Sequence, residues 1–283
     1  MQDLLCFAND RFKPVIESGV SLQDLGVLRG YGIFDFLRVS DGVPLFLDDH
    51  LDRFFYSADV MGLEIKKSRH ALTMVVHHLI KENKLKNSGI RLLLTGGDSV
   101  DGYQLGEPNL VVVQQQITPP ADSINHTGFV LTSYDYQRQL SEVKTTDYLM
   151  AIWLQPWMKK KQADDILYHH NGMVNECPRS NVFIVTQQNQ LVTPAENMLK
   201  GITRKNIIKI SKAIGMPVVE RNILLEEMKL AKEVFIASST KRIVPICRLD
   251  DNLYPPCTPN SVTWKLFELL CEHERQYIHA HKN

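Results

Sequence analysis

Hydrophobic and polar positions follow two periods along this chain. The run Ile33-Phe34-Asp35-Phe36-Leu37-Arg38-Val39 alternates as a strand does, and Ser40-Asp41-Gly42 turns it back into Val43-Pro44-Leu45-Phe46-Leu47. Then the period lengthens. Leu51, Phe54, Phe55 and Ala58 recur at helical spacing, with Asp48 and Asp49 ahead of them as N-cap chemistry and Arg53 off the stripe. A second helix is expected over about 69–83, with Leu72, Val75, Val76, Leu79 and Ile80 on one face. Two short strands, 4–7 and 11–16, flank an Asn9-Asp10 turn. Apolar runs at 90–94 and 110–113 flank a glycine-rich loop, 96–108. This first region reads as an α+β layer.

Gln116-Ile117-Thr118-Pro119-Pro120-Ala121-Asp122 breaks the pattern, because paired prolines disfavour helix and remove backbone donors. The expected division is a domain over 1–117, a linker over 118–122 and a larger domain over 123–283. The second region begins with a strand at 129–132 and a helix over about 147–162, kinked or broken at Pro156. Strand candidates follow at 165–169, 173–176, 181–185 and 190–193. Thr203 is expected to cap a helix carrying Ile207, Ile208, Ile210 and Ile214. Strands at 218–220, 234–237 and 243–247, a short helix at 224–231 and a final helix from about Ser261 complete the reading.

The 283 residues are 44% hydrophobic and 23% charged, enough for a sizeable core without metals or disulfides. Lys plus Arg equals Asp plus Glu at 32 each, so no charge excess draws the chain to nucleic acid or a membrane surface. The five cysteines are scattered and form no CxxC pair, which argues against a disulfide framework or zinc site and fits a reducing cytoplasm. Met1-Gln2-Asp3-Leu4-Leu5 lacks the features of a signal peptide, and no run is long enough to cross a membrane. His279 and His281, near the end, are given no metal role.

The chemistry concentrates between Ser141 and Arg204. Lys144 stands in Glu142-Val143-Lys144-Thr145-Thr146-Asp147-Tyr148; a lysine condenses with aldehydes when its surroundings favour the neutral amine. Glu176 follows an Asn-Gly turn, in either an outward-facing strand position or a functional one. Gly201-Ile202-Thr203-Arg204 opens a helix, where free N–H groups and the dipole favour an anion. Ser238-Ser239-Thr240 supplies further hydroxyls, and Arg53 is either a phosphate-neutralising cation or a surface partner of Asp49 or Asp52. A reactive lysine, a carboxylate and an anion-binding helix start together suggest a site for pyridoxal phosphate.

Several segments carry a resemblance over about 28–250: Arg29-Gly30-Tyr31-Gly32-Ile33-Phe34-Asp35, His50-Leu51-Asp52-Arg53 with Ser57-Ala58, and Lys144-Thr145-Thr146. Glu176 with Ser180-Asn181-Val182-Phe183, Gly201-Ile202-Thr203-Arg204 and the stretch from Ser239 to Pro245 extend it. In these the chain resembles the class IV, fold-type IV pyridoxal-phosphate enzymes. That group includes branched-chain aminotransferases, D-amino acid aminotransferases and 4-amino-4-deoxychorismate lyases. The resemblance implies a two-domain α+β fold, with a small α/β sandwich domain and a larger domain whose core is barrel-like and flanked by helices. It implies Lys144 as the Schiff-base lysine and proton shuttle of a ping-pong transamination, and Glu176 as the partner of the pyridine nitrogen. Arg53, the N–H groups of Ile202 and Thr203, and the hydroxyl of Ser239 or Thr240 would hold the phosphate. Tyr148 would reach the ring oxygen, although it stands four residues after the lysine where branched-chain enzymes have five. Tyr31, Arg38 and Tyr103 are the substrate candidates, with Arg138 beside them. A homodimer is also implied.

The substrate reading rests on the loop at 95–104, Thr95-Gly96-Gly97-Asp98-Ser99-Val100-Asp101-Gly102-Tyr103-Gln104. D-amino acid aminotransferases carry an Arg and a His there, and this chain has neither. Its glycine-rich segment ending in Gly-Tyr, and Glu176-Cys177, look like the lyase, but the lyase's arginine is missing. The expectation is an aminotransferase acting on an amino acid, branched-chain-like and of the L series, and a 2-oxo acid. The lyase and the D-specific enzyme are the alternatives.

Overall fold

The computed structural model describes residues 4–282. The reading of the N-terminus rests partly on Met1, Gln2 and Asp3, which lie outside the described residues, as does Asn283. The chain forms two compact units. The first comprises residues 1–119 together with Val143–Asp147 and Arg275–Asn283; the second comprises Pro120–Glu142 and Tyr148–Glu274. The five residues around Lys144 therefore cluster with the first unit.

In the first unit, β1 (Leu5–Ala8) and β2 (Arg11–Pro14) form a hairpin over Asn9 and Asp10, both at positive φ, the turn geometry that matches strand twist. A one-turn helix α1 (Leu25–Leu28) precedes β3 (Gly32–Ser40) and the short β4 (Val43–Pro44). Helices α2 (Leu47–Val60) and α3 (Arg69–Asn83) follow, then β5 (Ser88–Thr95) and β6 (Asn109–Gln115). The six strands are antiparallel in the order β2-β1-β6-β5-β3-β4. Leu51, Phe54 and Ala58 of α2 and Leu72, Val76 and Leu79 of α3 close a core over Ile33, Leu37, Ile90, Leu92 and Val112. The sequence expectation of Asp48 or Asp49 as N-cap is corrected. Phe46, at φ 54, is the N-cap residue without a side-chain cap, and the two acids lie in the first turn, where they favour the helix dipole.

The second unit holds a nine-stranded mixed sheet, beginning with β7 (Phe129–Asp135). The expected helix at 147–162 is two, α4 (Leu149–Trp153) and α5 (Gln155–Lys160), and Pro156 sits in the first turn of α5, where its missing N–H costs no helical bond. Next come β8 (Asp165–His170), β9 (Met173–Val174), β10 (Asn181–Val185), β11 (Leu191–Thr193) and α6 (Ile202–Ala213). The chain closes with β12 (Val218–Glu220), α7 (Leu225–Lys229), β13 (Glu233–Ser238), β14 (Arg242–Leu249), β15 (Asn252–Leu253) and α8 (Val262–His281). The main order is β12-β11-β10-β13-β14-β7-β8-β9, with β7 parallel to both its neighbours. Val182–Val185 of β10 and Val234–Ala237 of β13 are apolar runs because both faces are covered. Val182, Ile184, Val234 and Ile236 enter one core; Phe183, Val185, Phe235 and Ala237 enter another, beneath Ile207 of α6 and Leu266, Phe267 and Leu270 of α8.

Between β5 and β6 the loop at 96–108 folds back on itself. Gly97 has φ +74, and a Cβ there would stand 1.9 Å from the Glu107 carbonyl oxygen. Backbone cannot yield as a flexible side chain does. Gly97→Ala is therefore expected to destabilise the protein by about 2 kcal/mol or more, read as a lowered urea midpoint at unchanged slope.

Candidate active site

In the first unit, the segment around Lys144 runs antiparallel to the start of β3. Phe34 N–H donates to the Lys144 carbonyl at 2.9 Å, and Thr146 N–H to that of Gly32 at 2.9 Å. Strand-like alternation then buries Val143 and Thr145 and leaves Lys144 on the other side. Its Nζ lies 4.5 Å from the centroid of the Phe34 ring, within cation–π range, and its backbone N–H donates to the Ser57 hydroxyl at 3.3 Å. The backbone is thus fixed on both sides while a four-carbon arm carries the amine.

Asp35, one residue after Phe34, is fully buried. Arg53 donates to it through Nε at 2.8 Å and Nη2 at 2.9 Å, and His50 Nδ1 faces Oδ1 at 2.6 Å. An ionised carboxylate only accepts, so the imidazole is the donor. Burial pushes the Asp35 carboxyl up, but Arg53 and His50 outweigh it and hold it well below the ordinary carboxylate range. Burial, with the charges of Arg53 and Lys144, holds His50 below its ordinary value against the pull of Asp35. Arg53 therefore pairs with the buried Asp35, and Asp52 pairs with Arg69. Asp35 and His50 were missed as site residues. The signal was present: Asp35 falls on the apolar face of β3, between Ile33 and Leu37.

In the second unit, Glu176 is buried and both carboxylate oxygens are engaged. Arg138 Nε donates to Oε1 at 2.7 Å and Leu199 N–H to Oε2 at 3.0 Å. The expected strand over 173–176 ends at Val174, but Glu176 still accepts Tyr168 N–H through its backbone carbonyl at 2.8 Å. Leu199 links this carboxylate to the start of α6, because Asn181 Nδ2 donates to the Leu199 carbonyl at 2.7 Å. Gly201 is the N-cap of α6, in place of the expected Thr203, and no side chain caps the helix. A Cβ on Gly201 would lie 2.0 Å from Asn181 Oδ1, so the approach requires glycine. Arg204 secures the helix through the Thr193 hydroxyl, the Pro194 carbonyl and Glu220. Asn181 pairs with Ala237, near the end of β13 and just before the Ser239-Thr240 turn. That turn is flanked by Lys241, paired with Asp165, and Arg242, paired with the buried Glu274. Tyr148 is the half-buried N-cap residue of α4. Cys177, next to Glu176, is a sealed thiol that burial pushes well up.

The remaining candidates lie in the first unit. Tyr31 donates its hydroxyl to the Met61 carbonyl at 2.7 Å, Arg38 is buried on β3, and Tyr103 is exposed in the loop at 96–108. No metal-holding group of three or more His, Cys, Asp or Glu occurs among the described residues, and no helix is long and apolar enough to cross a membrane.

The geometry fits pyridoxal phosphate. Each unit carries parts that suit it: in the first, an amine on a fixed backbone; in the second, an uncapped helix start behind Gly201, whose Cβ position would crowd Asn181 Oδ1, and a buried carboxylate oriented by two donors.

Acidification is expected to weaken the first unit in two stages. Both Asp35 and His50 have folded values below their ordinary ones, so the unfolded chain binds their protons more readily and stability falls with pH. The His50 contribution starts to fade near pH 6.5 and that of Asp35 below about pH 4. Urea midpoints across pH 3–8 check this, and His50→Gln is expected to remove the first stage. Asp35→Asn at pH 7 should cost about 3–5 kcal/mol by leaving the Arg53 guanidinium without its carboxylate.

Comparison with known proteins agrees. The sequence profile of the family described as amino-transferase class IV matches residues 32–249. A D-alanine aminotransferase of Staphylococcus epidermidis is 27% identical over 86% of this chain and 88% of its own. A putative branched-chain-amino-acid aminotransferase of Methanocaldococcus jannaschii is 29% identical over 93% of each. Among solved structures, a putative 4-amino-4-deoxychorismate lyase from Legionella pneumophila superposes with a TM-score of 0.83 at 25% identity, covering 92% of this chain and 97% of the other. The branched-chain aminotransferase of Thermoproteus uzoniensis gives 0.86 at 22% identity, covering 98% and 97%, and shares the fold. The two-domain fold expected from the sequence is the one found. This chain belongs to the class IV aminotransferases and is an enzyme dependent on pyridoxal phosphate.

Proposed function

We propose that the enzyme transfers an amino group from an L-amino acid with a branched-chain-like side chain to a 2-oxo acid. The observation that carries the reading is Lys144, a single lysine whose backbone is clamped to β3 and Ser57 while its amine lies over an aromatic face. Bound pyridoxal phosphate supplies an aldehyde that condenses with amines and a ring that accepts negative charge. Lys144 would be the amine that condenses with that aldehyde and, once freed, the base that takes a proton from the substrate Cα. Glu176 keeps a proton on the pyridine nitrogen, and Arg138 and Leu199 fix its direction. Arg53, the N–H groups of Ile202 and Thr203, and the hydroxyl of Ser239 or Thr240 hold the phosphate; Tyr148 serves the ring oxygen. Anchoring both ends of a planar group sets the reacting bond against the ring.

On the substrate side we assign Tyr31, Arg38 and Tyr103. Residues 95–109 carry Asp98, Asp101 and Glu107 and no Arg, Lys or His. A carboxylate clamp of cations from this loop is therefore absent, which supports the L-series reading although D-alanine enzymes are among the relatives. We also propose a homodimer working in the cytoplasm, in keeping with five cysteines none of which is in a disulfide.

Absorption spectra with single amino donors test the reading. Conversion of the lysine-bound cofactor band by L-leucine or L-glutamate is expected. Response to D-alanine alone would establish the D-specific enzyme, and pyruvate release from aminodeoxychorismate the lyase. Lys144→Ala should abolish turnover, by about four orders of magnitude or more, with circular dichroism unchanged. Gly201→Ala should weaken cofactor binding roughly tenfold or more in an equilibrium titration.

A further inference from the structure

Asp24 is a second fully buried carboxylate in the first unit, and among the described residues it has no ion pair. It accepts from neutral groups: Gly26 N–H at 2.6 Å, the Thr95 hydroxyl at 2.5 Å and the Asn109 amide at 2.7 Å. The first of these caps α1, a role that serine or threonine fills without burying a charge. The other two explain the carboxylate. Thr95 is the last residue of β5, Asn109 is the first of β6, and they are cross-strand partners. One ion thus grips both stems of the loop at 96–108, through hydrogen bonds strengthened by its charge.

The loop is then closed from the same side. Leu25 N–H donates to the Gly97 carbonyl at 2.9 Å, Ser99 N–H to Gln23 at 3.0 Å, and Gly106 N–H to Gly96 at 2.9 Å. At the tip, Asp101 accepts from Tyr103 N–H at 2.9 Å, Gln104 N–H at 2.8 Å and the Ser99 hydroxyl at 3.2 Å. The stems also continue to the lysine. Thr95 pairs with Gly32, and Gly96 N–H donates to the Tyr31 carbonyl at 3.0 Å. The Thr146 hydroxyl in turn donates to Gly30 at 2.7 Å, two residues beyond Lys144. A Cβ on Gly32 would meet the Leu94 carbonyl, Thr95 Cα and Thr146 Oγ1 together, so these segments are in direct register.

We propose that Asp24 is a positioning residue for the reaction. By holding Thr95 and Asn109 it keeps the loop at 96–108 as a preformed wall beside the Lys144 segment, and the wall determines how tightly the amino donor is seated. A preformed wall saves the ordering cost that a flexible loop incurs on each binding event. The inference rests on Lys144 being the reactive amine.

The test uses the holoenzyme with Asp24→Asn, which keeps the shape and removes the charge, and Thr95→Val, which removes one stem contact and leaves the α1 cap. Hydrogen exchange of the Gly96, Ser99 and Gly106 amides should quicken roughly tenfold or more, with Leu92 and Val112 unchanged. KM for the amino donor should rise roughly tenfold, with kcat within about threefold. Loop amides that exchange as in the wild type, an unmoved KM, or core amides loosening while kcat falls with KM would each overturn the proposal. A wild-type protein without a lysine-bound cofactor band would mark failure of the Lys144 reading; a normal band with an unmoved KM marks failure of this one.

Discussion

A carboxylate with no exposed surface sits on β3 of the first sheet, and the geometry around Lys144 depends on how it is satisfied. Asp35 lies between Ile33 and Leu37 on the face of β3 that α2 covers. An ion there is tolerable only when partners replace water. Both side-chain partners come from α2, one turn apart, so the pair His50 and Arg53 fixes where α2 lies along β3. Apolar packing alone permits small slides between helix and strand; three hydrogen bonds to two oxygens do not. Ser57, one turn further along α2, receives the Lys144 backbone, so the lysine inherits that alignment.

The molecule meets the cost of buried carboxylates in three ways, and each suits a different task. Asp35 takes one guanidinium and one imidazole and locks a helix to a strand. Glu176 takes one guanidinium and one backbone N–H, which aims the carboxylate while tying it to the residues just before α6. Asp24 takes neutral donors and joins the two stems of a loop. Their common feature is that the oxygens are spoken for in the resting protein. Little reorganisation is then left for the moment when a substrate arrives, the condition under which fixed charges are most effective.

Local pattern carried much of this into the sequence. The stripes of α2 and α3, the Asn9-Asp10 turn and the break at Pro156 are each set by residues within a turn or two of one another. Lys144, Glu176 and the glycine before α6 stood out for chemical reasons that need no tertiary structure. What stayed hidden depends on distant partners. Arg53 looked like a surface residue because Asp49 and Asp52 are its neighbours in sequence, whereas its partner Asp35 lies across a turn and a strand. Thr203 looked like the better N-cap by side-chain type, but Asn181 occupies the space that any Cβ at the true cap would need, and that conflict is invisible from position 201 alone. Parallel pairing of β7 with β14 brings together residues more than a hundred apart.

The division of rigidity from reach follows from the same contacts. Transamination requires one amine to bond covalently, leave, and then move a proton, so the lysine side chain has to travel while its attachment point does not. Strand pairing through Phe34 and Thr146 supplies the fixed point, since backbone hydrogen bonds on both flanks leave the segment no hinge. The Phe34 ring supplies a face to which an ammonium is attracted without a directional bond, so the amine can be held near the site and released at little cost. An aspartate or glutamate in that place would hold the amine as a charged ion pair and oppose its loss of a proton. A fixed backbone with an aromatic face in contact with the amine is an arrangement that places a lysine and still lets it move.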